Sequence, residues 1–264
     1  MRSVQLVLKP SKQNVEFMLP ITLRQHEHVF VLVCFISGVV MNRLRELSSQ
    51  VMDVYQSLSQ EFSAYQSSQS LNCVEKCGAC CNKPDIEVSP LEMLPFALHL
   101  FDTGQAEQAF DELDNYSGFA CKQYERISLD GTEGYCGIYE YRPGICRMFG
   151  AAGYKTKSGE ATLSVCKPIK QAVPEKYAAA LIAIQPQRFD IFEQPMIDDI
   201  AANSEVEITS TKPPMIAEGR QKLAQLDYEL GEKLMPINDA LRFVLEKILT
   251  LSFYAQDVDD GVAA

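Results

Sequence analysis

Along residues 41–66 the apolar positions Leu44, Leu47, Val51, Val54, Tyr55, Leu58, Phe62 and Tyr65 recur at steps of three and four, with polar residues between them. This is one stripe of a helix, so the pattern predicts an amphipathic helix with a single buried face. Ser67-Ser68-Gln69-Ser70 breaks it. Ser89-Pro90-Leu91-Glu92 then has the residues of a capping box, with proline at the first helical position and apolar residues through Phe101. A second helix is expected there, with Pro95 as a site of kinking. A third is expected over 105–116, after the break Asp102-Thr103-Gly104.

Residues 121–146 carry Gly, Tyr and acidic residues without a helical period and read as loop built around fixed points. Segments 147–154 and 161–165 flank the turn-like Lys157-Ser158-Gly159-Glu160 and predict a short β-hairpin. Helical patterns return at 175–184, 216–233 and 237–251, with Pro213-Pro214 ahead of the last two. The expected fold class is mainly α: a helical domain with a loop-rich, cysteine- and metal-organised centre and a short β-hairpin. The expected organisation is an upstream extension or poorly ordered leader (1–40), a cysteine-cluster metal-binding domain (41–170), a carboxy-terminal helical region (171–255) and a disordered tail (256–264).

The apolar run at 29–41 is too short to span a bilayer, which needs about 20 residues. It also reads poorly as a signal peptide, because Glu16 and Glu27 precede it and no Ala-x-Ala-like site follows. A cytoplasmic protein without a membrane span is the expectation. With 264 residues, 47% of them hydrophobic, the chain can bury an ordinary core without help from a metal. Its 35 acidic and 24 basic residues leave a net charge of −11. That charge repels phosphate backbones, so nucleic acid is not an expected partner.

Cysteine usage changes the picture. Of nine cysteines, eight lie between Cys73 and Cys166: Cys73, Cys77, Cys80 and Cys81, then Cys121, Cys136, Cys146 and Cys166. Thiolates suit zinc, cuprous copper and iron-sulfur clusters, and short spacings let one turn present several sulfurs to one centre. Two other readings stand beside this one. Positions 73, 77, 80 and 81 would share a stripe roughly 100° wide on a helix, as buried core thiols. A disulfide framework is the other. Gly78 inside that helical register, the scarcity of other strong apolar residues on that stripe and the four downstream cysteines favour metal.

Eight thiols, with His99 as the one nearby imidazole, make two four-sulfur sites or one site with spare cysteines. A closed tetrahedron of thiolates leaves no position for substrate water and points to structure rather than hydrolysis. The adjacent side chains of Cys80 and Cys81 are expected to diverge and to serve different centres, unless one is redox-active. Lys76, Lys122, Arg142, Arg147 and Lys167 are the cations available to offset thiolate charge.

Cys77-Gly78-Ala79-Cys80-Cys81 and the block Tyr135-Cys136-Gly137-Ile138-Tyr139-Glu140-Tyr141-Arg142-Pro143-Gly144-Ile145-Cys146-Arg147 together resemble the YkgJ-type cysteine-cluster family, described as zinc- or iron-chelating proteins. The resemblance covers about residues 73–166. It implies metal ligands at Cys73, Cys77, Cys80, Cys81, Cys121, Cys136 and Cys146, with Cys166 as a late member. Three residues separate Cys73 from Cys77 where the family pattern has two, so Cys73 is the weakest of these assignments. Arg142 and Arg147 are the candidate supporting residues around the ligands.

The leading expectation is therefore a metal-binding protein holding zinc or an iron-sulfur centre, structural or metal-handling in role. An iron-sulfur-dependent enzyme is the alternative, through a related cysteine motif in flagellin lysine methylases. A metal-folded interaction module is a further one, its protein partner docking on the stripe Leu223, Leu226, Leu230, Leu234, Leu241, Val244, Leu245 and Ile248. No phosphate loop, nucleophile elbow or His-Glu-x-x-His signature is present.

Overall fold

The stripe that starts at Leu44 organises the molecule. A computed structural model describes residues 23–83, 86–184 and 212–256, with side chains from Ser37 to Ala255. In chain order the elements are α1 (Leu23–Ser68), β1 (Glu87–Val88), α2 (Pro90–Asp102), α3 (Ala106–Asp114), β2 (Tyr124–Arg126), β3 (Gly134–Cys136), a 3-10 turn (Tyr139–Tyr141) and α4 (Gly144–Met148). These are followed by β4 (Ala151–Lys155), β5 (Ala161–Val165), α5 (Lys167–Ala172), α6 (Pro174–Ile184), α7 (Ile216–Ala224), α8 (Tyr228–Gly231), β6 (Met235–Pro236) and α9 (Ile237–Gln256). The fold is mainly helical, with small antiparallel strand pairs.

Helix α1 buries Leu44, Leu47, Val51, Tyr55, Leu58 and Phe62 in the principal core, where Leu91, Leu94 and Ala97 of α2 and Leu241, Val244, Leu245 and Ile248 of α9 meet them. Each such side chain contributes roughly 1.5–3 kcal/mol when fully buried. The carboxy-terminal stripe considered for docking thus faces the protein's own core: Leu223, Leu230, Leu241, Val244, Leu245 and Ile248 are buried. Helix α1 is continuous across Met41 and begins at Leu23. Residues 1–22 of the expected extension and 257–264 of the expected tail lie outside the described residues. Among the described residues no helix is long and apolar enough to cross a membrane.

The expected hairpin forms as β4 and β5, in register from Ala151 opposite Val165 to Lys155 opposite Ala161, but its first arm starts at Ala151 and not at 147, because Arg147 and Met148 close helix α4. With Tyr65, Leu71, Ile169 and Ala180 it closes a second, smaller core. Two further expectations need correction, and one strand pair is additional to them. The helix expected over 216–233 is broken into α7 and α8, because the Asp227 side chain accepts the Leu230 N–H at 3.0 Å and caps a new helix start. Strands β1 and β6 pair over two residues each, too short for any period to reveal. The loop expected over 121–146 carries short elements within it: β2, β3, the 3-10 turn and the start of α4.

The capping box of α2 is formed and deeply buried. Glu92 Oε2 accepts hydrogen bonds from Ser89 N–H at 2.8 Å and Ser89 Oγ at 3.1 Å. Its other oxygen faces the start of α4, 3.2 Å from where a Cβ on Gly144 would sit. The Ile145 N–H favours the charged form from nearby, although Oε1 closes no hydrogen bond of ordinary geometry among the described residues. Burial is the largest effect and raises the Glu92 carboxyl above its ordinary value.

An acid raised in the folded state holds its proton there more tightly than in the unfolded chain. The folded state is therefore favoured below the ordinary carboxylate range and loses that advantage as pH rises toward the raised folded value. Glu92→Gln keeps an acceptor for Ser89 without the charge. In urea unfolding from pH 4 to 8 its stability relative to the parent is expected to rise with pH, whereas Glu92→Ala, which loses the cap, is expected to fall by about 1 kcal/mol at pH 4.

Candidate metal centre

The four thiols of 73–81 lie outside any helix, Cys77 in a bridge to Glu133 and Cys80 and Cys81 in a turn, so the reading of one helical face is set aside. Cys77 N–H reaches the Val74 carbonyl at 3.3 Å, and Lys76 takes the left-handed conformation with φ 55° that turns the chain between the first two thiols. The turn is then laid along the start of β3: Gly78 N–H donates to Thr132 O at 2.9 Å and Gly134 N–H to Lys76 O at 3.0 Å. Gly78 is required here for space. A Cβ at Gly78 would come within 1.8 Å of Tyr124 Oη, and one at Gly134 within 2.3 Å of the same ring.

The hairpin β2–β3 pairs Tyr124 with Cys136 and Arg126 with Gly134. Its turn is tied by Asp130, whose Oδ1 accepts Ser128 Oγ at 2.6 Å and Thr132 N–H at 3.1 Å, while Gly131 supplies φ +71°. The Asp130-Gly131 dipeptide is a hairpin signal in its own right, hidden by the lack of alternation in the short strands around it. Cys121 N–H donates to Cys81 O at 3.3 Å, and Asn238 of α9 grips both sides of Cys121, accepting Lys122 N–H at 2.9 Å and donating to Ala120 O at 3.0 Å.

Cys146 is presented by α4, and Arg147 fixes that helix. The Arg147 guanidinium donates from Nε to Arg142 O at 2.7 Å, from one terminal nitrogen to Ser59 Oγ at 2.9 Å and from the other to Glu140 O, and it lies 4.5 Å above the Tyr55 ring. Arg147 therefore holds backbone carbonyls against α1. The Arg142 guanidinium lies 4.1 Å over the Tyr139 ring, and its charge acts on Cys73, Cys80, Cys136 and Cys146, with Arg147 acting on Cys136 as well. The Arg142 Nε is buried without a hydrogen-bond acceptor among the described residues. A buried donor left without an acceptor costs about 1–3 kcal/mol, and a thiolate sulfur would satisfy it.

All eight cysteines are free thiols. Burial pushes Cys73, Cys121, Cys136, Cys146 and Cys166 above the ordinary thiol value, Cys121 to about 11. Cys80 and Cys81 share a hydrogen bond with sulfurs 4.0 Å apart, which lowers Cys80 and raises Cys81. The adjacent pair converges instead of diverging. Among the described residues no three Cys, His, Asp or Glu side chains stand in the arrangement of a formed metal centre. The sulfurs are neighbours that a cation would have to draw together, releasing protons as it did so.

Two expected participants lie elsewhere. His99 is exposed and stacks on Tyr141, 4.9 Å between ring centroids, and Lys122 pairs with Glu112 at 3.2 Å. Tyr55, Ser59, Tyr124 and Asn238, which position the thiol segments, were not singled out by sequence reasoning. Their partners are distant in the chain and no local pattern marks them.

The site is thus a set of eight free thiols on short segments, mounted on a helical platform. Residues 72–167 match the model of the CxxCxxCC family, described as "Putative zinc- or iron-chelating domain", and this is the family the sequence resembles. The match starts one residue before Cys73 and ends one after Cys166, so it takes in all eight thiols. No curated protein and no solved structure matches the chain.

Removing the Arg147 clamp tests how the ligand segment is held. Arg147→Ala is expected to lower stability by about 2–3 kcal/mol, since hydrogen bonds to a charged group are worth about 1.5–3 kcal/mol each and are not additive. Arg147→Lys cannot reproduce the fork and should recover less than half of the loss. Denaturant unfolding of the three proteins at matched metal content measures both.

Proposed function

We propose that this protein binds zinc or iron through its clustered thiolates, as a structural or metal-handling protein, with Cys73, Cys77, Cys80, Cys81, Cys121, Cys136, Cys146 and Cys166 as the ligand pool. The observation that carries this reading is the buried Arg142 Nε, which has no acceptor among the described residues and whose charge acts on four of the free thiols. Soft sulfur donors suit zinc and iron-sulfur centres, so the residues present fit the group the family description names. The bound metal would supply the positive charge that ionises the thiols. Arg142 would then donate to a ligated sulfur and offset part of the remaining negative charge, and Arg147 would keep the 3-10 turn and α4 in place. Helices α1, α2 and α9 carry none of these cysteines and supply the platform.

Protein purified without oxygen should contain zinc or iron by elemental analysis, and its visible spectrum separates the two. A colourless protein with stoichiometric zinc supports closed thiolate sites. A brown, oxygen-sensitive protein with iron and acid-labile sulfide supports a cluster. Protein with neither metal, as isolated and after reconstitution, would overturn the proposal.

Arg142→Gln removes the charge facing the sulfurs and is expected to weaken metal retention about 10-fold or more, the usual scale for residues supporting metal ligands. Arg142→Lys should recover part of it. Competition with a chromophoric chelator gives the affinities.

A further inference from the structure

Resting on the thiolate–metal reading, we infer that Asn238 is a positioning residue of the metal centre. It fastens the Cys121 segment to the start of α9, so that retention of the metal depends on the seating of the carboxy-terminal helix.

Cys121 lies outside any helix or strand and is buried at 8%. A buried segment without a ladder of its own must find other partners for its backbone groups, and those partners decide where the thiol stands. Four groups around Cys121 are held. The Cys121 N–H donates to Cys81 O at 3.3 Å, and the Cys121 carbonyl accepts Tyr124 N–H at 3.0 Å. The flanking pair, Ala120 O and Lys122 N–H, both go to the one side-chain amide of Asn238, at 3.0 and 2.9 Å. An amide that donates and accepts at once meets the chain as a neighbouring strand would. Lys122 also pairs with Glu112 at 3.2 Å, but a half-exposed ion pair steadies the end of a side chain and leaves the backbone free.

Asn238 is itself fixed. The residue before it, Ile237, is buried and donates its N–H to Ile86 O at 3.0 Å, and Met235 pairs with Val88 in the β1–β6 ladder. Beyond it, Leu241, Val244, Leu245 and Ile248 seat α9 in the principal core. The amide is therefore carried on a rigid support, and it reaches the main chain on either side of a thiol without touching the sulfur. Removing it frees Ala120 and Lys122 while the apolar face of α9 stays covered. Two hydrogen bonds of ordinary net worth correspond to about 10-fold in a local opening equilibrium. Residues that support metal ligands change affinity by about 10–100-fold.

The test uses the full-length protein, kept reduced and oxygen-free, with Asn238→Leu as the variant that keeps the approximate shape and loses both bonds. Two quantities are read where far-UV circular dichroism is parental. One is the rate at which N-ethylmaleimide labels each cysteine of the metal-free protein, assigned by peptide mass spectrometry. The other is the affinity for Zn(II), from competition with a chromophoric chelator. Labelling of Cys121 is expected to rise about 10-fold with Cys73 and Cys166 unchanged, and zinc affinity to fall about 10-fold or more. Asn238→Asp keeps only the acceptor for Lys122 N–H and should show both changes at smaller amplitude; it carries the test if the leucine variant does not fold. Ile248→Val thins the core on the same helix and should leave both quantities within about 2-fold of the parent, although it too lowers stability.

Either change without the other, or parental values for both, overturns the inference, as do equal changes in Ile248→Val. A parent that takes up no zinc would instead remove the thiolate–metal reading on which the inference rests.

Discussion

Arg147 is the joint through which the helical platform reaches the sulfurs. Its guanidinium rests on Tyr55 and Ser59 of α1 and takes the carbonyls of Glu140 and Arg142. Arg142, whose backbone is held this way, lays its guanidinium over the Tyr139 ring, and its charge acts on four of the thiols. A rigid, planar fork suits this task because it makes several bonds while losing little further freedom for each. The order of dependence runs from the buried face of α1, to Arg147, to the backbone of Arg142, to the charge set among the sulfurs.

The molecule separates bulk from chemistry. Its large buried side chains lie mainly on long helices that carry none of the eight clustered cysteines, while those cysteines lie on irregular segments, an isolated bridge, a turn, a three-residue strand and a five-residue helix. Short elements cannot bury enough surface to hold themselves, so each is tied down from outside: the 73–81 turn by β3, Cys121 by Asn238, and α4 by Arg147 and by Gly144 packed close to Leu223 and Glu92. Because the principal core forms from apolar side chains, the binding energy of a metal is not needed to assemble it.

The long helices were legible because a repeated spacing says which face is buried. The stripe from Leu44 to Tyr65, the Ser89–Glu92 cap, the β4–β5 hairpin and the α9 stripe all appear where that reasoning puts them. Asp227 and Asp130-Gly131 were local signals present in the chain but overridden by attention to periodicity, which fails in segments this short. The division of labour between Arg142 and Arg147 was not legible, since two arginines five residues apart carry the same charge and differ only in what surrounds them. Asn238 and Ser59 act across 116 and 88 residues of sequence and left no trace that one chain could reveal.

The grip of Asn238 on the residues flanking Cys121 bears on how the protein can be dissected. A fragment ending near residue 170 would look self-sufficient from its cysteines, which it would keep complete. It would nonetheless lose the amide that fastens Ala120 and Lys122, together with the α9 side chains that cover Leu44, Leu47 and Leu94. Such a fragment would present an oily surface to water with its ligand loops slack, and insolubility on expression would reflect the missing lid rather than any defect in the sulfur chemistry.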